Sequence, residues 1–214
     1  MNSLSEQIRT RPQAVEGAGT DAVSGALETG PEYELEQDAA GVVSGRVVTL
    51  AERRPAIEHW LLSAAEDRAR ARQEWRTDGL ALLRCGGVFS VVQISATVVH
   101  VAVGTEDPRA VNDYLAGAVL GPVFVDREML RYCVLAGSST GPLRDWKRAG
   151  NDAEFMGVGH YLGVPAVDAI DLTARRAWCV EMASLGDLAP AAAVSQLVHI
   201  GRYRLAGGER HLGG

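Results

Sequence analysis

Apolar residues recur at helical spacing through Ile57, Trp60, Leu61, Ala64 and Ala65, while Glu66, Asp67, Arg68, Arg70 and Arg72 fall on the other side. Pro55 suits a first helical turn, so the pattern predicts one amphipathic helix from there to near Gly79. GGVFSVVQI follows as a β-branched strand opened by two glycines, and SATVVHVAVG fits either a strand or a helix. In PRAVNDYLAGAVL, Val111, Tyr114, Leu115, Ala118 and Val119 share one face; Pro108 opens that helix and Gly121-Pro122 stops it. PVFVD and RYCVLA read as two short strands joined through REML in a hairpin. After a polar loop, HYLGV and AWCVEM supply two more strands, and AAAVSQLVHIG a last helix begun by Asp187 or Pro190. This order gives a single mixed α+β domain.

The first forty residues show no such period. Rich in Ser, Gly, Glu, Gln and Ala, they cannot bury enough surface to offset the entropy of ordering. Residues 1–41 are therefore expected to be a disordered acidic tail, and residues 42–214 the folded domain. Charge sharpens the division: the tail sets Arg9 and Arg11 against eight acids and holds the whole net charge of −6, leaving a neutral body. Such a body lacks the basic excess of a protein that grips a phosphate backbone unaided. The densest basic cluster, Arg68, Arg70, Arg72 and Arg76, is interleaved with Glu66, Asp67, Glu74 and Asp78, which favours a solvated, ion-paired face.

Composition limits the remaining classes. At 214 residues, 47% hydrophobic and with mean hydropathy −0.01, the chain can bury one substantial core. No apolar run approaches the ~18 residues of a membrane span, and the polar start MNSLSEQIRTRPQ lacks the apolar region of a secretory signal. A cytoplasmic protein without membrane contact is the expectation. Cys85, Cys133 and Cys179 are odd in number, widely spaced and set among apolar neighbours, as reduced core thiols are. His100, among valines, reads as a core histidine satisfied by a backbone partner. No Walker A order occurs.

The succession GPVFVD, RYCVLAGSST, Trp146, GHYLGVP, WCVEM and GDL, over roughly residues 75–200, resembles the short actinobacterial proteins grouped with the bifunctional DNA primase/polymerase N-terminal domain. That is the prim-pol branch of the archaeo-eukaryotic primases. The resemblance implies an RRM-like sheet with flanking helices, paired acids on one strand, a small-x-His motif, a further acid, a divalent metal and nucleotide substrates. The chain departs from this pattern where the chemistry needs it. Two-metal transfer requires carboxylates that bridge ions about 4 Å apart, which Asp-x-Asp on one strand supplies. No Asp-x-Asp occurs, and GVFSVVQI carries no acid. Asp126 reads as a turn residue and Asp168 and Asp171 as loop residues or caps, while Val158 is a loose match to the small residue before His160. The expectation is a catalytically degenerate module, not an enzyme, with no resident cofactor; a divalent metal belongs only to the catalytic reading.

Candidate binding chemistry concentrates in GSSTGPLRDWKR. Ser138, Ser139 and Thr140 between glycines can present donors to an anion, Arg144, Lys147 and Arg148 add charge, and Trp146 offers a face for stacking. With His160 at what looks like a neighbouring strand end, the candidate site is Ser139, Thr140, Arg144, Trp146 and His160. Its ligand would be a nucleotide or single-stranded nucleic acid, in a replication or mobile-element setting. The same letters also suit a loop whose Trp packs down and a strand leaving a glycine turn. The alternative function is a protein-interaction or regulatory subunit that keeps the fold as a scaffold. Its contact would be the acidic tail, where Tyr33 and Leu35 interrupt the acids of PEYELEQD.

Overall fold

The computed structural model describes residues 49–146 and 152–212, so the acidic tail of residues 1–41 lies outside the described residues. Thr49 starts the first described helix with a capping box: its side chain accepts from the Glu52 amide while the Glu52 carboxylate accepts from the Thr49 amide at 2.8 Å. Helix α1 (Leu50–Leu62) therefore starts ahead of Pro55, which sits inside it. The single helix expected up to Gly79 is two. The chain breaks after Leu62, and Asp67, expected as a face charge, instead caps α2 (Arg68–Asp78) by accepting from the amides of Ala69 and Arg70. Gly79 closes α2 in the left-handed region at φ 70.

Strand β1 (Leu80–Arg84) alternates buried and exposed positions and pairs antiparallel with β6 (Tyr161–Pro165) in a two-stranded ribbon, Leu80 opposite Pro165 and Arg84 opposite Tyr161. The other strands, β2 (Ser90–Ser95), β3 (Val123–Asp126), β4 (Arg131–Ala136), β5 (Ala153–Met156) and β7 (Arg176–Val180), form a second sheet in the order β5-β2-β4-β3-β7. All its ladders are antiparallel, so β2 and β3 run parallel with β4 between them. That is a split β-α-β unit, the strand arrangement of an RRM-like sheet extended by β7. The ambiguous SATVVHVAVG resolves as α3 (Ala96–Val103): Val98, Val99 and Ala102 are buried, and this packing outweighs the helix cost of β-branched residues. Asp107 caps α4 (Pro108–Val119), which ends on Leu120 in the left-handed region; Gly121, next along the chain, admits no side chain, since a Cβ there would lie 2.4 Å from the Ala189 amide nitrogen. The last helix, α5 (Ala191–Leu212), follows Pro190, whose carbonyl takes the amides of Ala193 and Val194.

Both faces of the five-stranded sheet are covered. Val92, Ile94, Val123, Val125, Tyr132 and Val134 pack under α3, α4 and α5. Val91, Phe124, Cys133, Leu135 and Trp178 face α1, α2 and the β1–β6 ribbon. This explains why VFSVVQI reads as a near-continuous apolar run. The mixed α+β architecture agrees with the sequence expectation. Among the described residues no helix is long and apolar enough to cross a membrane. All three cysteines are free; burial pushes the Cys85 thiol up to about 11 and holds Cys133 far above the ordinary thiol range.

Candidate functional site

In the segment after β4 that sequence reasoning singled out, residues 137–146 are fastened down, while Lys147 and Arg148 lie outside the described residues. Ser138–Thr140 and Arg144–Trp146 are short 3-10 turns. Ser139 is exposed, but Thr140 is buried and its carbonyl accepts the Trp146 indole N–H at 2.7 Å. Trp146 itself is 8% exposed and packs into the core beneath the helices. It therefore has no free face on which a base could stack. The backbone of Arg144 belongs to the second turn; its side chain lies outside the described residues. Asp145 turns towards α5 and accepts from Ser195 Oγ and His199 Nε2, both at 2.6 Å, while Arg202 donates to the Asp145 carbonyl at 3.0 Å and pairs with Asp152.

These carboxylates couple the fold to acid. The Ser195 hydroxyl, followed by His199, holds Asp145 below its ordinary 3.8, and the Arg202 guanidinium does the same for Asp152. A carboxylate whose folded value is depressed contributes stability above about pH 4, and that contribution is lost as pH falls through the folded value. Thermal melts from about pH 5 to about pH 2 should show a declining Tm, and Asp152→Asn should flatten that decline while lowering Tm at neutral pH. An unchanged acid slope in Asp152→Asn would remove the Arg202 pair from this account.

His160 stands in the turn before β6. Its amide donates to Gly157 O at 3.1 Å, its Nδ1 lies 3.3 Å from the same oxygen, and its carbonyl accepts from the Cys85 amide. Gly141 and Gly157 both back onto the Phe155 ring, where a Cβ on either would fall 2.6 Å from Cε1. One aromatic edge thus brings the two loops to the same neighbourhood. They are not neighbouring strand ends, however, because β4 lies in the large sheet and β6 in the ribbon. Among the described residues no hydrogen bond or ion pair joins His160 to Ser139, Thr140 or Trp146. His100 also differs from expectation: its partner is the Tyr132 hydroxyl, 3.0 Å from Nε2, and not a backbone group.

The acids are committed as well. Asp126 closes the β3–β4 turn by accepting from the amides of Glu128 and Met129, and its second oxygen takes Arg176 Nε at 2.6 Å. Asp171 accepts from the amide and hydroxyl of Thr173. Among the described residues no group of three His, Cys, Asp or Glu could hold a metal ion.

No family model, curated protein or solved structure matches the chain.

A site that sequence reasoning missed lies between α1, α2 and residues 166–168. It is a cavity of about 430 Å³, into which Arg54, Arg72 and Arg76 converge against Glu58 and Asp168. Arg54 gives one terminal nitrogen to Glu181 at 3.0 Å, yet its Nε is buried with no acceptor. Arg72 Nε meets Glu58 at 3.0 Å, whereas Arg76 has no acceptor among the described residues. Trp75 is held in the wall by its indole bond to Val164 O. Only Arg70–Glu74 realises the ion-paired face expected on α2. The available signal was the spacing of Arg72 and Arg76, one helical turn apart on a single face. Planar guanidinium forks in such a cleft suit the oxygens of a phosphate or carboxylate.

Proposed function

We propose that the chain is a non-catalytic, prim-pol-like binding module that takes a phosphate-bearing ligand, a nucleotide or a single-strand end, in the cavity of Arg54, Arg72 and Arg76. The observation that carries this reading is the convergence of Arg54, Arg72 and Arg76 on one cavity, where Arg76 has no acceptor among the described residues. Arg76 offers its guanidinium fork to an entering anion, and Arg54 and Arg72 add positive charge beside it. The split β-α-β sheet supports the prim-pol likeness, and with it a replication or mobile-element setting. The absence of paired carboxylates on one strand supports binding without transfer. A sheet-face mode of base recognition is disfavoured, because the central positions Val91, Cys133 and Leu135 are aliphatic or thiol and buried. That covered sheet is also what favours the second reading, a scaffold subunit that binds protein.

Titration with ATP and with a single-stranded oligonucleotide, at two salt concentrations, separates these. Binding should weaken steeply with salt, and Arg72→Gln/Arg76→Gln should lower affinity at least about tenfold, since charge-assisted bonds are worth ~1.5–3 kcal/mol each. With template, nucleotides and magnesium or manganese, no strand synthesis should exceed background. Template-dependent synthesis abolished by Asp126→Ala would restore the enzyme. A well-folded protein that binds neither ligand at low salt would leave the scaffold reading in its place.

A further inference from the structure

A second cavity, of about 220 Å³, opens on the other face of the sheet, where the starts of α3 and α4 meet the ends of β3, β4 and β7. Its walls are apolar through Ala96, Pro108 and Val125, with Leu130 at the rim. Its polar groups are ordered. His100 Nε2 meets the Tyr132 hydroxyl at 3.0 Å, the two rings standing edge to face at 79°, and Glu106 approaches His100 Nδ1 at 3.7 Å from an exposed position. The Tyr132 hydroxyl therefore has its partner, and burial, opposed only weakly by Arg127, pushes its pKa up to about 12. Cys179, also pushed up to about 12 by burial, lines the cavity as a neutral thiol. Neither group is a nucleophile at neutral pH, so the cavity suits binding and not covalent chemistry.

Among the residues that line the cavity, Arg127 is the one fixed cation. One terminal nitrogen donates to Leu172 O at 2.5 Å, and among the described residues its other guanidinium nitrogens meet no acceptor. The opposing acid, Glu106, is 85% exposed, where its charge is screened by solvent. The volume falls below the ~300–1,000 Å³ of pockets that hold drug-sized ligands. One fixed cation, an Asn112 amide, apolar walls and a small volume together define a ligand: a single carboxylate on a compact apolar body.

We infer that this cavity is a binding site for a small apolar monocarboxylate, its carboxylate on Arg127 and Asn112 and its body against Val125, Pro108 and Ala96. The site is independent of the arginine cavity, which lies on the opposite side of the sheet.

Benzoate is the probe, with benzamide as its neutral counterpart of the same shape. Followed by amide and aromatic NMR on the full chain, benzoate should produce saturable shifts at Asn112, Arg127 and Tyr132, and benzamide should bind at least about tenfold more weakly. Arg127→Gln should lower benzoate affinity by a similar factor. Because Arg127 also ties the Leu172 carbonyl, Asn112→Leu gives a second measure: it leaves that tie intact, crowds the cavity and should abolish the shifts at Tyr132. Absence of saturable shifts, equal binding of benzamide, or unchanged affinity in Asn112→Leu would each overturn the assignment. The ATP titration of Arg72→Gln/Arg76→Gln bears on the other site alone.

Discussion

Trp146→Ala should destabilise the protein by about 3–5 kcal/mol, the range for removing a large aromatic from a core. The indole is 8% exposed, packs under the helices and spends its N–H on Thr140 O. Its loss opens a cavity and frees the turn that carries Asp145, the residue gripping Ser195 and His199 of α5. Chemical denaturation should show a lower midpoint with an unchanged slope. A base-stacking Trp would behave oppositely, with stability preserved and ligand affinity lost; that outcome would return Trp146 to the binding site.

Gly201→Ala should also destabilise, against the usual direction for such a change. Within a helix, alanine is favoured over glycine by ~0.5–1 kcal/mol. At Gly201, however, the new Cβ would stand 2.4 Å from the Val98 carbonyl oxygen and 2.6 Å from Val98 Cγ1, so α5 must lift off α3. Overpacking costs ~1–3 kcal/mol, more where backbone must move, and exceeds the helical gain. Gly207 is the control in the same helix, since a Cβ there meets nothing within 4 Å. Gly207→Ala should raise stability by ~0.5–1 kcal/mol. Melts of the two variants should move in opposite directions. A shared gain would mean that α3 and α5 are not in close contact at Gly201.

What could be read from the sequence depended on how local the determining interaction was. Helix α4 was legible because Asp107, Pro108 and the apolar face lie within one short stretch, and β3, β4, β6 and β7 because their β-branched and aromatic runs end at turn residues. The split between α1 and α2 was not, because Asp67 looks the same as a solvated charge and as a cap until its backbone leaves the helix. Strands β1 and β5 were not, because each gains its pairing from a partner far along the chain, β1 from β6 and β5 from β2. For His100 the satisfied-histidine expectation held, but the partner, Tyr132, comes from another strand. The arginine cavity needed both α1 and α2 placed before Arg54 could be seen beside Arg72 and Arg76. Single-residue chemistry was visible in the letters; convergence was not.

The β1–β6 ribbon gives the molecule an order of assembly. Pairing Leu80 with Pro165 encloses strands β2 to β5 and helices α3 and α4 within one long loop, whose closure costs more entropy than that of a short hairpin. The hairpin of β3 and β4 closes over a few residues and can form early. During synthesis α1, α2 and β1 precede the rest of the described region, and the apolar face of Ile57, Leu61, Trp75 and Leu83 draws its cover from Val91, Phe124 and Leu135, which follow, and from Leu162, Val164 and Trp178, which are made later still. Residues 50–84, about the first fifth of the described residues, thus wait as a half-covered layer. A chain stopped before residue 161 would lack Leu162, Val164 and Trp178 and leave that layer partly exposed.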